Sequence, residues 1–405
     1  MPVGLKAPVS LDPVAGVRVA TAALGGRSKP RDDLTLFELA PGTSCAATFT
    51  RNAFRAAPVT VAREHLARTA PRYLLVNAGN ANAGTGARGI EDARRCCAIV
   101  AEAAGVPVES VVPFSTGVIG EPLSVDRFEH AIPVAVGRLN EAGWLDAAAA
   151  IATTDIVPKG ASRSVELGGR TAAVTGVAKG SGMIRPDMAT MLAFIATDAA
   201  VAPDELRSMA GDAVEASFNR ITVDGDTSTN DACVVVATGA LGNAPVRPGS
   251  ADWLALSEAV DDVARELAHA IVRDGEGATK FVTVQVEEGS SRSECLAVAY
   301  TVAHSPLVKT ALYASDANWG RILAAAGRAG VADLDLSRLR IWLNGVCIVR
   351  GGGRDADYTE AAGAEAVSRD EIVIRIALGR GQVTDRVWTC DFSHQYVTIN
   401  AEYRT

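Results

Sequence analysis

Histidine is scarce, with five in 405 residues. They stand at positions 65, 130, 269, 304 and 394, without an HExxH, a pair at ligand spacing or a cysteine partner, so a histidine-based metal centre is not expected. A GxSxG elbow is also missing, which argues against a serine triad. The seven cysteines, at 45, 96, 97, 233, 295, 347 and 390, form no regular framework and read as reduced, mostly buried thiols. Basic residues do not dominate: 39 Lys and Arg against 47 Asp and Glu leave a net charge of -8, which disfavours a nucleic-acid partner. Long apolar runs are absent too. The longest candidate, Met191 to Ala202, is interrupted by Asp198 and falls short of the roughly 18 to 20 residues that span a bilayer, so no membrane role is expected. Neither NAGNANAGTG (Asn77 to Gly86) nor RDGEGATK (Arg273 to Lys280) has the spacing of a dinucleotide or P-loop fingerprint. The N-terminus lacks the apolar core of a secretory signal, so residence in the cytosol is the expectation.

What remains is a globular composition, 48% hydrophobic and 21% charged, with no repeat or low-complexity tract. Short β-like runs at Val17 to Leu24, Leu34 to Leu39, Ala46 to Phe49 and Tyr73 to Val76 precede the glycine- and asparagine-rich segment from Asn77, read as a loop. Ile90, Ala93, Cys97, Val100, Ala101 and Ala104 share one face of a helix. A strand is expected to begin at Thr190, and Pro203 with Asp204 to open a helix reaching about Phe218. Phe281 to Val286, Ile372 to Ile376 and Val383 to Cys390 read as further strands, and Asn344-Gly345 as a hairpin turn. Helices and antiparallel strands in both halves favour an α+β layered sandwich over a doubly wound parallel sheet.

Two segments carry chemistry worth weighing. DGDTSTND (Asp224 to Asp231) imitates the start of a calcium loop but has Thr229 where glycine should turn the chain and Val235 where the bidentate glutamate belongs. It reads better as a hydrogen-bonded loop that shapes a site, and no metal is assigned. KGSGMIRPDMATML (Lys179 to Leu192) is different in kind. If the peptide bond before Thr190 were broken, one residue would expose both a hydroxyl and an α-amine, a nucleophile with its own base. Such an amine has a reference pKa of about 7.7 to 8, so a useful fraction is neutral near neutral pH and no histidine is needed.

Seven segments in series, FSTGVIG (114 to 120), TTDIVPK (153 to 159), KGSGMIRPDMATML, DGDTSTND, DGEGATK (274 to 280), LVKTALYASDANWGRILAAAG and the ending DFSHQYVTINAEYRT, resemble the ornithine acetyltransferase family, also called bifunctional arginine biosynthesis proteins. The resemblance implies an αββα-type sandwich like that of self-cleaving N-terminal nucleophile enzymes. It implies scission between Ala189 and Thr190, giving an α chain of 1–189 and a β chain of 190–405, usually assembled as two of each. It further implies transfer of an acetyl group from N2-acetylornithine to glutamate through an ester on Thr190, with acetyl-CoA as a second donor and no cofactor. The implied oxyanion donors are Thr116 and Gly117, and the implied substrate contacts are Thr153, Lys179, Thr190, Glu276, Asn400 and Thr405.

Two rival readings stay open at this level. One is a self-processing peptidase or amidase of the same fold, in which water resolves the acyl-Thr190 ester, since a fold does not choose the acceptor. The other is a noncatalytic binding protein with an uncut chain. His394, in the polar and aromatic setting of DFSHQYV, reads as structural, and a surface role for Glu276 is the bland alternative to substrate contact.

Overall fold

Leu34, Leu36, Phe37 and Leu39 are all buried, which a six-residue strand achieves only when both of its faces are covered. The computed structural model, which describes residues 2–25, 31–185 and 191–402, supplies both covers. Its chain divides into two bodies. The first is drawn from Ala7–Asn219 and Asp226–Ile271, the second from residues 2–6, 220–225 and 272–402.

In the first body β1 (Val17–Ala22), β2 (Leu34–Leu39), β4 (Tyr73–Asn80) and β5 (Val111–Val118) form a sheet in the order β1-β2-β4-β5. The last pair is parallel and the others are antiparallel. A second sheet takes β3 (Ser44–Phe49), β6 (Lys159–Leu167), β7 (Arg170–Lys179), β8 (Leu192–Thr197) and β9 (Ala232–Ala237) in the order β3-β9-β8-β7-β6. Here β8 and β9 run parallel, and β7 is antiparallel to β8, pairing Lys179 with Leu192.

The inner faces meet in one apolar layer. Val19, Phe37, Leu74, Val112 and Phe114 from the first sheet pack with Val177, Phe194, Ala196 and Val234 from the second. The Phe194 ring lies 5.1 Å from Phe37 and meets Phe114 edge-on, also at 5.1 Å, a favourable aromatic geometry. Trp144, in α4 (Trp144–Ala150), closes one end against Phe37 at 5.7 Å.

Helices cover the two outer faces. Val61 of α1 (Ala57–Leu66), Cys97 and Val100 of α2 (Gly86–Ala104) and Phe128 and Ile132 of α3 (Val125–Arg138) pack with Leu36, Leu75 and Val111. Ala93, Cys97, Val100 and Ala101 of the expected helical face are buried, and Gly105, left-handed at φ 68°, ends that helix. On the other side α5 (Pro203–Ala216) packs on β3 and β9, with Ala202 as its N-cap and Asp204 in its first turn. Val263 and Leu267 of α6 (Ala251–Arg273) press on β7 so closely that a Cβ on Gly176 would lie 2.9 Å from Val263. Helices, sheet, sheet and helices make the αββα sandwich expected from the sequence.

The second body is built on a six-stranded sheet of β10 (Phe281–Gly289), β11 (Arg340–Leu343), β12 (Val346–Arg350), β13 (Gly353–Arg354), β14 (Glu371–Ala377) and β15 (Val383–Cys390), in the order β13-β12-β11-β14-β10-β15. The turn between β11 and β12 is Asn344-Gly345, both at positive φ, as its sequence demands. Val282, Val284 and Ile374 pack with Val298 of α7 (Arg292–Ala303), Leu312 of α8 (Pro306–Tyr313), Ile322 of α9 (Trp319–Gly327) and Val367 of α10 (Glu360–Val367). A last helix, α11 (His394–Glu402), follows β15.

Two local expectations need correction. The segment from Asn77 is not all loop, because β4 continues to Asn80 beside β5. The strand expected from Thr190 runs from Leu192, and Thr190 lies outside the described residues. Among the described residues no helix is long and apolar enough to cross a membrane. Truncating the ring at the centre of the sandwich, Phe194→Ala, is expected to cost about 3 to 5 kcal/mol of stability, measured by urea unfolding.

Candidate functional site

Where β4 and β5 end side by side, the chain spends two glycines. Gly117 has φ 132°, and a Cβ placed on it would lie 2.2 Å from the carbonyl carbon of Gly79, so no other residue fits. This close approach brings Ser115 and Thr116 to the buried end of β5, at 4% and 5% exposure. Ser115 donates its hydroxyl to Asn77 Oδ1 at 2.5 Å.

Lys179, the last residue of β7, donates its ammonium to Thr116 Oγ1 at 3.1 Å. That occupies an acceptor position of the hydroxyl and leaves its proton to be donated elsewhere. The next residue, Gly180, gives its N–H to Asp155 Oδ1 at 2.7 Å, and Lys159 Nζ reaches the same oxygen at 2.6 Å. Asp155 Oδ2 accepts the N–H of Thr153 at 3.0 Å. The side chains of Asp155 and Lys159 are 1% and 0% exposed. Burial opposes the charge on Asp155, but Lys159, Lys179 and the Gly180 N–H outweigh it and hold the carboxyl well below the usual range. Thr153, Lys179 and Thr116 are thus linked through Asp155, a residue to which the sequence reading gave no role.

The third wall is the segment before β9. Thr50 donates its hydroxyl to Ser228 O at 2.8 Å, and Ala56 its N–H to Thr229 O at 2.8 Å. Asn230 donates to Ala81 O at 2.6 Å and to Ser115 O at 2.8 Å. These are the bonds of a shaping loop. Among the described residues no group of three or more His, Cys, Asp or Glu is placed to hold a metal. Asp231, 1% exposed, accepts the N–H of Met191 on Oδ1 at 3.0 Å, so it grips the chain where β8 begins. Asp231 was missed as a site residue because its signal, a lone acid before an all-apolar strand, also fits an ordinary turn. Ala189 and Thr190 are outside the described residues, as is Thr405.

The second body carries Glu276 and Asn400. Glu276 is buried at 8% exposure, not on the surface, and accepts from Asn400 Nδ2 at 2.8 Å. Its loop turns at Gly277, where φ is 72° and a Cβ would lie 2.5 Å from Tyr396 N. Asp391 ties the loop down by accepting from Thr279 N, Thr279 Oγ1 and Lys280 N at 2.8, 2.6 and 2.8 Å. Ser393 adds a bond to Gly277 O at 2.6 Å. Beneath, Lys309 is fully buried. Its ammonium reaches Thr389 Oγ1 at 2.8 Å and the carbonyl of Cys390, and lies 4.6 Å from the centre of the Phe392 ring. Burial draws its pKa down, opposed by Cys390, Asp391 and Asp224, while burial pushes the Cys390 thiol up to about 11. His394 is exposed and rests edge-on against Tyr313 at 5.5 Å, a packing role.

A family model described as the ArgJ family matches residues 18–405. The chain belongs to the ArgJ family. It is 58% identical to the arginine biosynthesis bifunctional protein ArgJ of Methylococcus capsulatus over 98% of this chain and 97% of that one. Its identity to the protein of the same name from Pseudomonas fluorescens is 53% over all of both chains. Among solved structures, the arginine biosynthesis bifunctional protein ArgJ of Bacillus halodurans matches with a TM-score of 0.50 and 36% identity, covering 52% of this chain and 98% of that one.

Within this polar cluster, the Asp155 pair is the most open to test. Its folded pKa is depressed, so its contribution is present above the unfolded value of about 3.9 and is lost as the pH falls through the folded value. Asp155→Asn is expected to lower stability near neutral pH by about 3 to 5 kcal/mol, because it removes the charge of one partner from a buried ion pair. The gap to the parent protein should narrow below about pH 4 in urea titrations.

Proposed function

We infer that this protein is the acetyltransferase of arginine biosynthesis that moves an acetyl group from N2-acetylornithine to glutamate. The observation that carries this reading is the full-length match to bifunctional ArgJ proteins, which favours a transferase over a peptidase of similar fold. Thr190 is the proposed nucleophile. Its hydroxyl attacks the Ala189 carbonyl, the acyl group passes from nitrogen to oxygen, and water frees a β chain that starts with Thr190. The hydroxyl then attacks the acetyl carbon of acetylornithine, the α-amine taking its proton. Ornithine leaves with a proton, and the amine of glutamate removes the acetyl group from the Thr190 ester.

Thr116 and Gly117 are proposed as oxyanion donors. The bond from Lys179 supports this for Thr116, since a hydroxyl already accepting from an ammonium is a better donor. The roles of Thr153, Lys179, Glu276, Asn400 and Thr405 in holding substrate remain as the family resemblance assigns them. So does assembly as two α and two β chains, and a cytosolic location is proposed from the absence of a signal-like apolar core at the N-terminus. Acetyl-CoA is proposed as a second acyl donor, in keeping with the word bifunctional in the relatives' names. No resident cofactor is required by this chemistry.

Scission before residue 190 would separate β7 from β8. Their antiparallel pairing from Val174↔Thr197 to Lys179↔Leu192 would then hold the α and β chains in one sheet. The purified protein is therefore expected to give two bands on denaturing electrophoresis and one particle without denaturant. Thr190→Ala should give a single uncut chain and no turnover. With acetylornithine and glutamate the parent should form acetylglutamate and ornithine, whereas release of acetate without acetylglutamate would mark a hydrolase. Thr116→Val should lower kcat by about 10² to 10³-fold while leaving the fold intact by circular dichroism.

A further inference from the structure

Asn230 does more than shape its own loop. It is buried, and its side-chain nitrogen Nδ2 uses both hydrogens, on Ala81 O at 2.6 Å and on Ser115 O at 2.8 Å. Carbonyl oxygens only accept, so these two fix which end of the amide faces them, and Oδ1 takes the Thr229 hydroxyl on its other side. The two carbonyls belong to the ends of two different strands. Ala81 follows Gly79 by two residues on the chain that leaves β4, and Ser115 precedes Gly117 by two residues in β5. Asn230 therefore bridges the strand ends beside the point where Gly79 and Gly117 crowd together, a junction also tied by the bond from Ala81 N to Val118 O at 2.9 Å. Because β5 is an edge strand with β4 as its sheet neighbour, its end gains support from such a side chain.

We propose that Asn230 is a positioning residue for acetyl transfer: its amide holds the Ser115–Thr116 peptide in the orientation that aims the Thr116 and Gly117 donors at the acetyl oxygen. The inference rests on the reading of Thr116 and Gly117 as oxyanion donors. The Ser115 carbonyl and the Thr116 N–H belong to one planar peptide unit, so a grip on the oxygen sets the direction of that N–H and the position of the Thr116 Cα. From that Cα the hydroxyl reaches Lys179 Nζ at 3.1 Å, and the next peptide carries the Gly117 N–H. An oxyanion donor works only within hydrogen-bond reach of the charge as it develops, and a tolerance of about 0.5 Å separates a working site from a loose one. Asparagine suits the task. Aspartate would turn acceptors on two carbonyl oxygens, and serine has one hydrogen to give. The next residue, Asp231, holds Met191 N at 3.0 Å, so one short segment fixes the end of β5 and the chain entering β8 together.

The test measures acetylglutamate formed from acetylornithine and glutamate by the full-length protein, with the mature fraction counted on denaturing gels and thermal unfolding recorded for each variant. Asn230→Ala should lower kcat by about 10 to 10²-fold and leave KM within about threefold of the parent, since Asn230 bonds to none of the proposed substrate contacts. On a Thr116→Val background the same change should cost several-fold less, because one of the donors it positions is gone. Strictly multiplicative losses would overturn the inference, as would full turnover in Asn230→Ala or a change in KM alone. A residue that merely holds its loop together lowers stability and leaves the two substitutions independent. Asn230→Ser, with one donor left, should fall between the parent and Asn230→Ala. If the alanine variant does not fold or mature, the serine variant carries the same cycle, and failure of both counts against the proposal. Thr116→Val at the parent kcat removes the donor on which the inference depends. A parent that forms no acetylglutamate defeats the transfer reading itself, a result distinct from full turnover in Asn230→Ala.

Discussion

Lys179 is a buried ammonium that acts on two carboxylates of opposite fate. Asp155, in reach of Lys159 and the Gly180 N–H as well, has its pKa held down; for Asp231 burial outweighs the Met191 N–H, the Ser228 hydroxyl and Lys179 and pushes the pKa up. Burial raises both, so the strength of the nearby positive charge and of the hydrogen bonds to each one decides the direction of its shift. The donor set at Thr116 depends on this arrangement, since the ammonium that orients its hydroxyl is stabilised in a dry place by the same carboxylate that holds Thr153.

The sandwich explains how so polar a constellation survives inside the molecule. Strands β5, β7 and β9 bring Thr116, Lys179 and the segment ending at Asp231 to neighbouring points, and the aromatic layer of Phe37, Phe114 and Phe194 is supplied by β2, β5 and β8 of the same two sheets. The bonds of Thr116, Ser115, Asn230 and Asp231 are made where water is scarce, which raises their strength and the cost of losing them. The bonds also cross long stretches of chain: Lys179 and Thr116 are 63 residues apart. Removing such a bond disturbs packing and chemistry together, so folding and activity need separate readouts.

In the second body the same logic holds a different loop. Lys309 reaches from a helix to the end of β15, and Asp391 immediately beyond grips Thr279 and Lys280, so Glu276 and Gly277 are fixed by a chain of buried polar contacts. A lysine this deeply buried serves as a strut: it satisfies Thr389 and Cys390 and lies on the Phe392 ring.

Local structure was legible wherever a side-chain period or a turn residue sufficed. Leu34–Leu39, the buried face of α2, the opening of α5 at Pro203 and the Asn344-Gly345 hairpin all stand where their residues predict, because those signals act over a few positions. The sequence by itself also carried the family, through seven segments spread along the chain. It did not reveal that Asn77–Asn80 extends a strand, since that depends on Gly79 meeting Gly117 across β4 and β5. Nor did it single out Asp155 and Asp231, or join Glu276 to Asn400. Whether an acid is charged, neutral or merely exposed depends on which donors approach it and how much water is excluded, and only the tertiary structure decides either.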